Sequence, residues 1–141
     1  MLLPDVNILV YAYRDAAPNH EHFKAWVQEL VNGEEAYGMS DLVCSSFLRI
    51  VTNPRIFAPP STLDDALLFL DQIRTGEACV ILSPGPRHWQ IFTDLCRRSA
   101  ARGNLIPDAY FAALAIESGS EWISTDGDFA RFPGLRWRRP F

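Results

Sequence analysis

The chain has 141 residues, of which 48% are hydrophobic and 21% charged, with a formal net charge of −4. This length and composition predict one globular domain over residues 1–141 and exclude a disordered or fibrous chain. No apolar run reaches the roughly 20 residues that span a bilayer, and the N-terminus lacks a secretory pattern, so we expect no membrane association. The net charge excludes a uniformly basic surface, so nucleic acid would need a local basic patch.

The first half of the chain alternates short apolar segments with amphipathic ones. Residues 1–4 predict a buried strand that ends at Asp5 and is followed by a helical turn. Apolar residues recur at every third or fourth position from Phe23 to Val31, which predicts an amphipathic helix that Gly33 ends. A short strand at 36–40 precedes a helix that ends before Pro54. The next helix begins near residue 61 or 62 and ends at residue 76.

The second half repeats this alternation. Residues 78–82 are rich in β-branched and apolar side chains and predict a strand. Two helices follow, the second of them alanine-rich, with Pro107 near its start and Gly119 at its end. Residues 121–125 predict a strand that leads to Asp126, and 134–137 predict a last short one. This alternation of strands and helices predicts an α/β sandwich over a mostly parallel sheet.

Acidic residues are predicted to meet at one edge of this sheet. Asp5 and Asp126 each follow a strand, and ligands of open parallel sheets bind beyond the carboxyl ends of strands. Asp108 opens a late helix and can face the same crevice. Each acid also has an ordinary explanation: Asp5 as a helix N-cap, and Asp108 as a charge favoured by the helix dipole. Asp126, Gly127 and Asp128 can form an Asx-type turn in which the glycine supplies a positive φ.

Considered together, these carboxylates point to a cation. Several carboxylates at one edge repel one another unless a positive ion lies between them. Ligands that are all oxygen suit Mg²⁺ or Mn²⁺, which polarise phosphate oxygens and activate water. All 13 basic residues except Lys24 are arginines, and the chain after position 96 is rich in them. An acidic cluster with arginines nearby suggests hydrolysis of a phosphodiester.

Four segments carry a resemblance to a known family. They read LLPDVNILVYAY, FLRIVTNPRIF, GNLIPDAYFAALAIESG and ISTDGDFARFPGL. In order and separation, from Leu2 to about Leu135, they resemble PIN-domain proteins, and most of all the VapC toxins of VapBC toxin–antitoxin modules. The resemblance implies a three-layer α/β/α sandwich with a parallel sheet. It also implies a ribonuclease that needs Mg²⁺ or Mn²⁺ and cuts RNA, with tRNA or rRNA as the expected target.

The resemblance assigns roles to individual residues. It makes Asp5, Asp108 and Asp126 catalytic metal ligands, with Asp128 as an auxiliary metal ligand. Asn7 takes the place of a small polar residue that supports the site, and we expect it to donate a hydrogen bond to Asp5.

The resemblance also implies partners and a compartment. The expected partners are the RNA substrate, a VapB-type antitoxin that lies across the active-site groove, and a second copy in a homodimer. Three cysteines without a CxxC pair predict a reduced, cytoplasmic environment. Some large aromatic residues are candidates for contact with another chain, although the core is an alternative for each. They are Trp26, Phe47, Phe57, Phe69 and Trp89.

One departure from the family pattern leaves an alternative open. Many members carry a glutamate where this chain has Ser46, and a hydroxyl binds Mg²⁺ much more weakly than a carboxylate does. A PIN fold that binds RNA or an antitoxin but cleaves poorly is therefore the main alternative. A phosphatase-like site is disfavoured because its lysine would have to be Lys24, which lies too early in the chain. A purely structural domain would make the aspartates coincidental.

Two further expectations concern basic side chains. Arg49 is a candidate for contact with RNA, with a surface or helix-packing role as the alternative. His20, His22 and His88 lie at or before polar helix starts, so we expect them to be solvated rather than to bind metal.

Overall fold

The computed structural model describes residues 1–141 and is built on a five-stranded sheet. The strands lie in the order β3-β2-β1-β4-β5, and every neighbouring pair is parallel. They are β1 (Leu2–Pro4), β2 (Tyr37–Ser40), β3 (Cys79–Leu82), β4 (Glu121–Ile123) and β5 (Trp137–Arg138). The predicted parallel sheet is therefore confirmed.

Six helices connect these strands. They are α1 (Val6–Tyr13), α2 (His20–Asn32), α3 (Asp41–Val51), α4 (Leu63–Arg74), α5 (His88–Arg98) and α6 (Leu105–Glu117). The chain moves outward from β1 to β2 and β3, then returns past β1 to β4 through α5 and α6. Because parallel crossovers are right-handed, this reversal places α1–α4 on one face and α5 and α6 on the other. The predicted α/β/α sandwich is confirmed.

The core explains why the central strands are almost wholly apolar. Strands covered by helices on both faces bury both sets of side chains. Trp122 of β4 is fully buried and stacks on Phe111 of α6 with ring centroids 5.3 Å apart. The alanines of α6 are buried as well, and their small side chains let this helix approach the sheet closely. None of the helices has both the length and the apolar character needed to cross a membrane.

The histidines correct one prediction. His22 is exposed as expected, but His20 and His88 are buried. The Nδ1 atom of His20 lies 2.8 Å from the carbonyl oxygen of Tyr11, and Nε2 of His88 lies 3.0 Å from that of Tyr110. Each begins a helix on its buried face, so a polar residue at a helix start was a misleading sign of solvation.

The large aromatic residues divide between core and surface. Phe47 is fully buried and stacks on Phe69, with centroids 5.3 Å apart. Trp26, Phe57 and Phe69 are half-buried. Trp89 is 71% exposed and lies flat against Phe92. Of these aromatic residues, Trp89 is the one whose side chain is most exposed to solvent in the single chain.

Candidate active site

The acidic residues lie at the point where the strand order reverses. β1 lies between β2 and β4, and the crossovers change direction there. In open parallel sheets this switch point opens a crevice beyond the carboxyl ends of the strands. Pro4 pairs with Ile123, so Asp5 and Ser124 follow at adjacent positions just beyond the ends of β1 and β4.

Asp5 is buried, and both of its carboxylate oxygens accept hydrogen bonds. Oδ1 accepts from the backbone N–H of Val6 at 2.6 Å, which makes Asp5 the N-cap of α1. Oδ2 accepts from the Ser124 hydroxyl at 2.5 Å. Burial nevertheless raises the pKa of Asp5 to about 6, against these two hydrogen bonds, with a further increase from the charges of Asp108 and Asp126. Asp5 is therefore both the N-cap of α1 and a member of the acidic cluster.

Asp108 lies in the first turn of α6 and is half-buried. Its pKa is raised to about 6, first by burial and then by the charges of Asp126 and Asp128. Because Asp126 also raises the pKa of Asp5, the four aspartates share one electrostatic environment. The structure thus brings together the four carboxylates that the sequence suggested, and their roles stay a prediction.

A short turn holds Asp126. Its Oδ1 accepts the N–H of Asp128 at 2.8 Å, and its own N–H donates to Ser124 Oγ at 3.0 Å. Gly127 begins a 3-10 helix that ends at Arg131. The Asx-type turn is present, but Gly127 does not have a positive φ, which corrects that detail. A 3-10 helix uses ordinary negative φ values, so the turn needs no left-handed residue.

Ser124 is the site residue that sequence reasoning missed. It is fully buried, and its one hydroxyl bonds both Asp5 and the backbone of Asp126. A small polar residue at the end of a buried apolar strand was the available signal. Its meaning depended on the register between β1 and β4, which the sequence alone does not state.

Asn7 and Asp41 do not complete the acidic cluster. Asn7 makes no hydrogen bond to Asp5, which corrects the expected contact, and its buried Oδ1 has no hydrogen-bond partner in the chain. Asp41 is exposed and bonds Arg74 at 2.8 Å. It therefore does not replace the glutamate that many family members carry at the position of Ser46. Ser46 is half-buried on α3.

The donor set suits a hard divalent cation. No three His, Cys, Asp or Glu side chains are already arranged to hold a metal ion. The available donors are nonetheless carboxylate oxygens that a cation would relieve of mutual repulsion, as the raised pKa values of Asp5 and Asp108 indicate. A cavity of about 450 Å³ between α1, α2 and α4 shares no residue with this cluster.

Comparison with known proteins agrees with this geometry. Residues 2–135 match the PIN domain family. The chain belongs to the PIN-domain family. VapC ribonuclease Mb2897 of Mycobacterium bovis is 42% identical over 140 residues, covering 99% of this chain and 95% of that protein. Ribonuclease VapC25 of Mycobacterium tuberculosis is 41% identical and covers 99% of each chain. The resemblance of this PIN domain to VapC proteins is confirmed.

Solved structures share the fold at low sequence identity. VapBC2 from Rickettsia felis, bound to a DNA fragment from its promoter, superposes on this PIN domain with a TM-score of 0.71 and 17% identity. That match covers 98% of this chain and 97% of the other. VapC20 of Mycobacterium tuberculosis, a toxin that cleaves the sarcin-ricin loop, gives a TM-score of 0.65 at 15% identity, covering 96% and 99%. Such likenesses support the fold.

Proposed function

We propose that this PIN-domain protein is the toxin of a type II toxin–antitoxin module and acts as a metal-dependent endoribonuclease. The observation that carries the proposal is Asp5, a buried carboxylate at the switch point whose pKa is raised to about 6 beside other acids. Relatives with 36–42% identity over nearly the whole chain are named ribonucleases. A buried acid among like charges is typical of a functional site rather than of a simple helix cap.

The residue roles follow from this arrangement. Asp5, Asp108 and Asp126 would hold the divalent cation, Mg²⁺ or Mn²⁺, with Asp128 beside them. When bound, such a cation polarises a phosphate oxygen and lowers the pKa of a bound water. Ser124 fixes Asp5 and the backbone of Asp126 in one orientation. Acids with a pKa of about 6 are mostly ionised at neutral pH, as metal ligands must be.

The substrate we propose is RNA, cut at a phosphodiester bond. VapC20 is described as cleaving the sarcin-ricin loop, so a structured ribosomal RNA is one reasonable target for this chain, with tRNA as the other. An RNA substrate and three free cysteines both agree with a cytoplasmic location. Substrate binding at an acidic site also requires positive side chains close by, because RNA phosphates would otherwise be repelled.

The partners we propose are a VapB-type antitoxin and a second copy of the chain. Structures with this fold are VapB–VapC complexes, including VapBC2 of Rickettsia felis and a DNA-bound VapBC from Salmonella typhimurium. A cationic side chain from an antitoxin would neutralise the repelling carboxylates in place of a metal ion. The exposed Trp89 and the exposed leucines of α4 offer apolar area for a second chain.

The alternative is a PIN domain that binds RNA or an antitoxin without efficient cleavage. Ser46 favours it, because the chain lacks one carboxylate that many members have. It predicts RNA affinity without turnover, whereas the enzyme proposal predicts discrete products.

The deciding experiment incubates purified, antitoxin-free protein with a tRNA and rRNA pool in Mg²⁺ or Mn²⁺. Asp5→Asn and EDTA are the negative controls, and Asp41→Asn is the matched variant, since Asp41 is an exposed acid outside the cluster. We expect discrete products from the wild type and from Asp41→Asn, and none with Asp5→Asn or EDTA. Intact RNA at every metal concentration, from folded protein, would favour the binding alternative.

A further inference from the structure

Arg139 follows β5 at the carboxyl end of the sheet and bonds the backbone just before Asp126. Its Nη1 donates to the carbonyl oxygen of Thr125 at 2.7 Å. Thr125 is the residue between Ser124, which bonds Asp5, and Asp126. The guanidinium group therefore forms a hydrogen bond with the loop that carries Ser124 and Asp126.

The position of Arg139 is fixed from both sides along the chain. Before it, the N–H of Ser124 donates to the carbonyl oxygen of Arg138 at 3.1 Å, which continues the parallel pairing of β4 with β5. After it, Pro140 is buried and Phe141 packs on Phe23 of α2 with ring centroids 4.9 Å apart. These contacts fix the backbone of Arg139 at the carboxyl end of the sheet.

The charge of Arg139 is not neutralised within the chain. Several other arginines pair with carboxylates, but Arg139 is exposed and forms no ion pair. Those paired arginines are Arg74, Arg98, Arg131 and Arg138. A guanidinium group has five N–H donors, and this one uses a single Nη1 contact, so its remaining donors are free to bind an anion in a forked geometry.

We propose that Arg139 is the residue that positions an RNA phosphate at this site. The proposal rests on the proposed function and names a residue for one part of it. Acids that bind a cation also repel the polyanionic substrate, so a guanidinium that bonds the Thr125 carbonyl and has no carboxylate partner offsets that repulsion where the RNA strand must approach. The forked donors bind a backbone phosphate, which selects for a phosphodiester chain without reading its bases.

Arg136 provides a matched control. Its Nη2 also donates to a backbone carbonyl, that of Gly119, at 2.6 Å, and it also forms no ion pair. Gly119 precedes β4, however, so Arg136 lies at the end of that strand away from the acids. The two arginines differ mainly in which end of the sheet they occupy.

The test measures binding of a short fluorescein-labelled oligouridylate by anisotropy, over a range of salt concentrations in Mg²⁺. All variants are made in the Asp5→Asn background, which prevents turnover. We expect Arg139→Gln to weaken binding roughly tenfold, as loss of a charged hydrogen bond does. The slope of log K against log salt should also become shallower by about 0.7, the value for one phosphate of a single strand. Arg136→Gln should change neither quantity.

Arg139→Lys separates charge from structure. It retains the charge and should retain the salt slope of the Asp5→Asn parent, with an affinity between those of that parent and Arg139→Gln. A purely structural tie to Thr125 would lower the melting temperature and leave the slope unchanged, and that result would overturn the proposal. So would a complete absence of oligouridylate binding. Cleavage by the wild type is measured separately. If the wild type does not cleave RNA but the salt slope of binding depends on Arg139, only the proposed nuclease activity is rejected.

Discussion

Ser124 donates its hydroxyl hydrogen to Asp5 Oδ2 at 2.5 Å, and the Ser124 Oγ atom accepts the backbone N–H of Asp126 at 3.0 Å. Asp5 and Ser124 are far apart in sequence but follow the neighbouring strands β1 and β4. One buried hydroxyl group therefore links the ends of β1 and β4. It also stabilises the ionised form of Asp5 against the effect of burial, because it donates to the carboxylate.

Ser124→Ala should raise the pKa of Asp5 further above about 6. A hydrogen bond to a charged group contributes about 1.5–3 kcal/mol, so its loss corresponds to roughly one to two pKa units. We expect this in a carboxyl ¹³C titration of the metal-free protein, together with slower RNA cleavage at neutral pH. Ser99→Ala is the control, because the Ser99 hydroxyl bonds only a helix carbonyl. An unchanged titration of Asp5 would show that the hydrogen bond does not stabilise its charge.

Asp5 should make the metal-free protein less stable as pH rises. Between its unfolded value of 3.8 and its folded pKa of about 6, the folded state binds more protons than the unfolded state. Stability therefore falls as pH rises through this window, by at most about 3 kcal/mol for a shift of this size. Asp108 acts in the same direction, since its pKa is also raised to about 6.

Asp5→Asn removes this pH dependence and should stabilise the metal-free protein at neutral pH. Urea unfolding in EDTA across the same pH window, for wild type and variant, measures the difference directly. The quantity to compare is wild type minus variant, because other groups titrate in both proteins. A difference that stays constant with pH would contradict the raised pKa.

Ser46→Glu should increase affinity for Mn²⁺. The substitution places a carboxylate where many family members have one, and hard cations bind carboxylates far better than hydroxyl groups. The expected result is a larger rise in melting temperature on adding Mn²⁺ than the wild type shows, because a ligand that binds only the folded state stabilises it. Ser45→Glu is the control, since the adjacent helix position is exposed and turned about 100° away. Equal shifts in both variants would place Ser46 outside the site.

Glu117 should stabilise the loop that leads into α5. Its carboxylate accepts the N–H groups of Gly85 and Arg87 at 2.6 and 2.9 Å. Burial acts to raise the pKa of Glu117, but these donors outweigh it and hold the pKa below its usual value. The stabilisation is therefore present at neutral pH and is lost as pH falls from 4.5 through the lowered folded pKa.

Glu117→Gln should lower the melting temperature at neutral pH, with a difference from wild type that shrinks in acid. Gly85→Ala should have a similar effect, since an added Cβ would lie 2.8 Å from Glu117 Oε2. Glu34→Gln, a change at an exposed glutamate, serves as the control. Calorimetry at neutral and acidic pH tests the prediction. A decrease in melting temperature that is the same at both pH values would contradict it.

The elements of this protein were predictable because their signals are local. Helical periodicity ended by Gly33 gave α2, and Pro54 correctly marked the end of α3. The histidines were predicted less well, since burial of His20 and His88 depends on partners, Tyr11 and Tyr110, that only packing supplies. The same reason accounts for Asn7, whose proximity to Asp5 in sequence did not produce a hydrogen bond.

The sequence by itself determined the strand and helix pattern and the acids that follow the strands, because period and residue type act over a few neighbouring positions. Only the tertiary structure decided that Ser124 bonds Asp5, and that Arg139 bonds Thr125, just before Asp126, while Arg136 bonds Gly119. Those facts depend on the parallel register of β1, β4 and β5. Register is a property of strand pairing across the whole fold, and a shift of one residue would turn each of these side chains to the other face of the sheet.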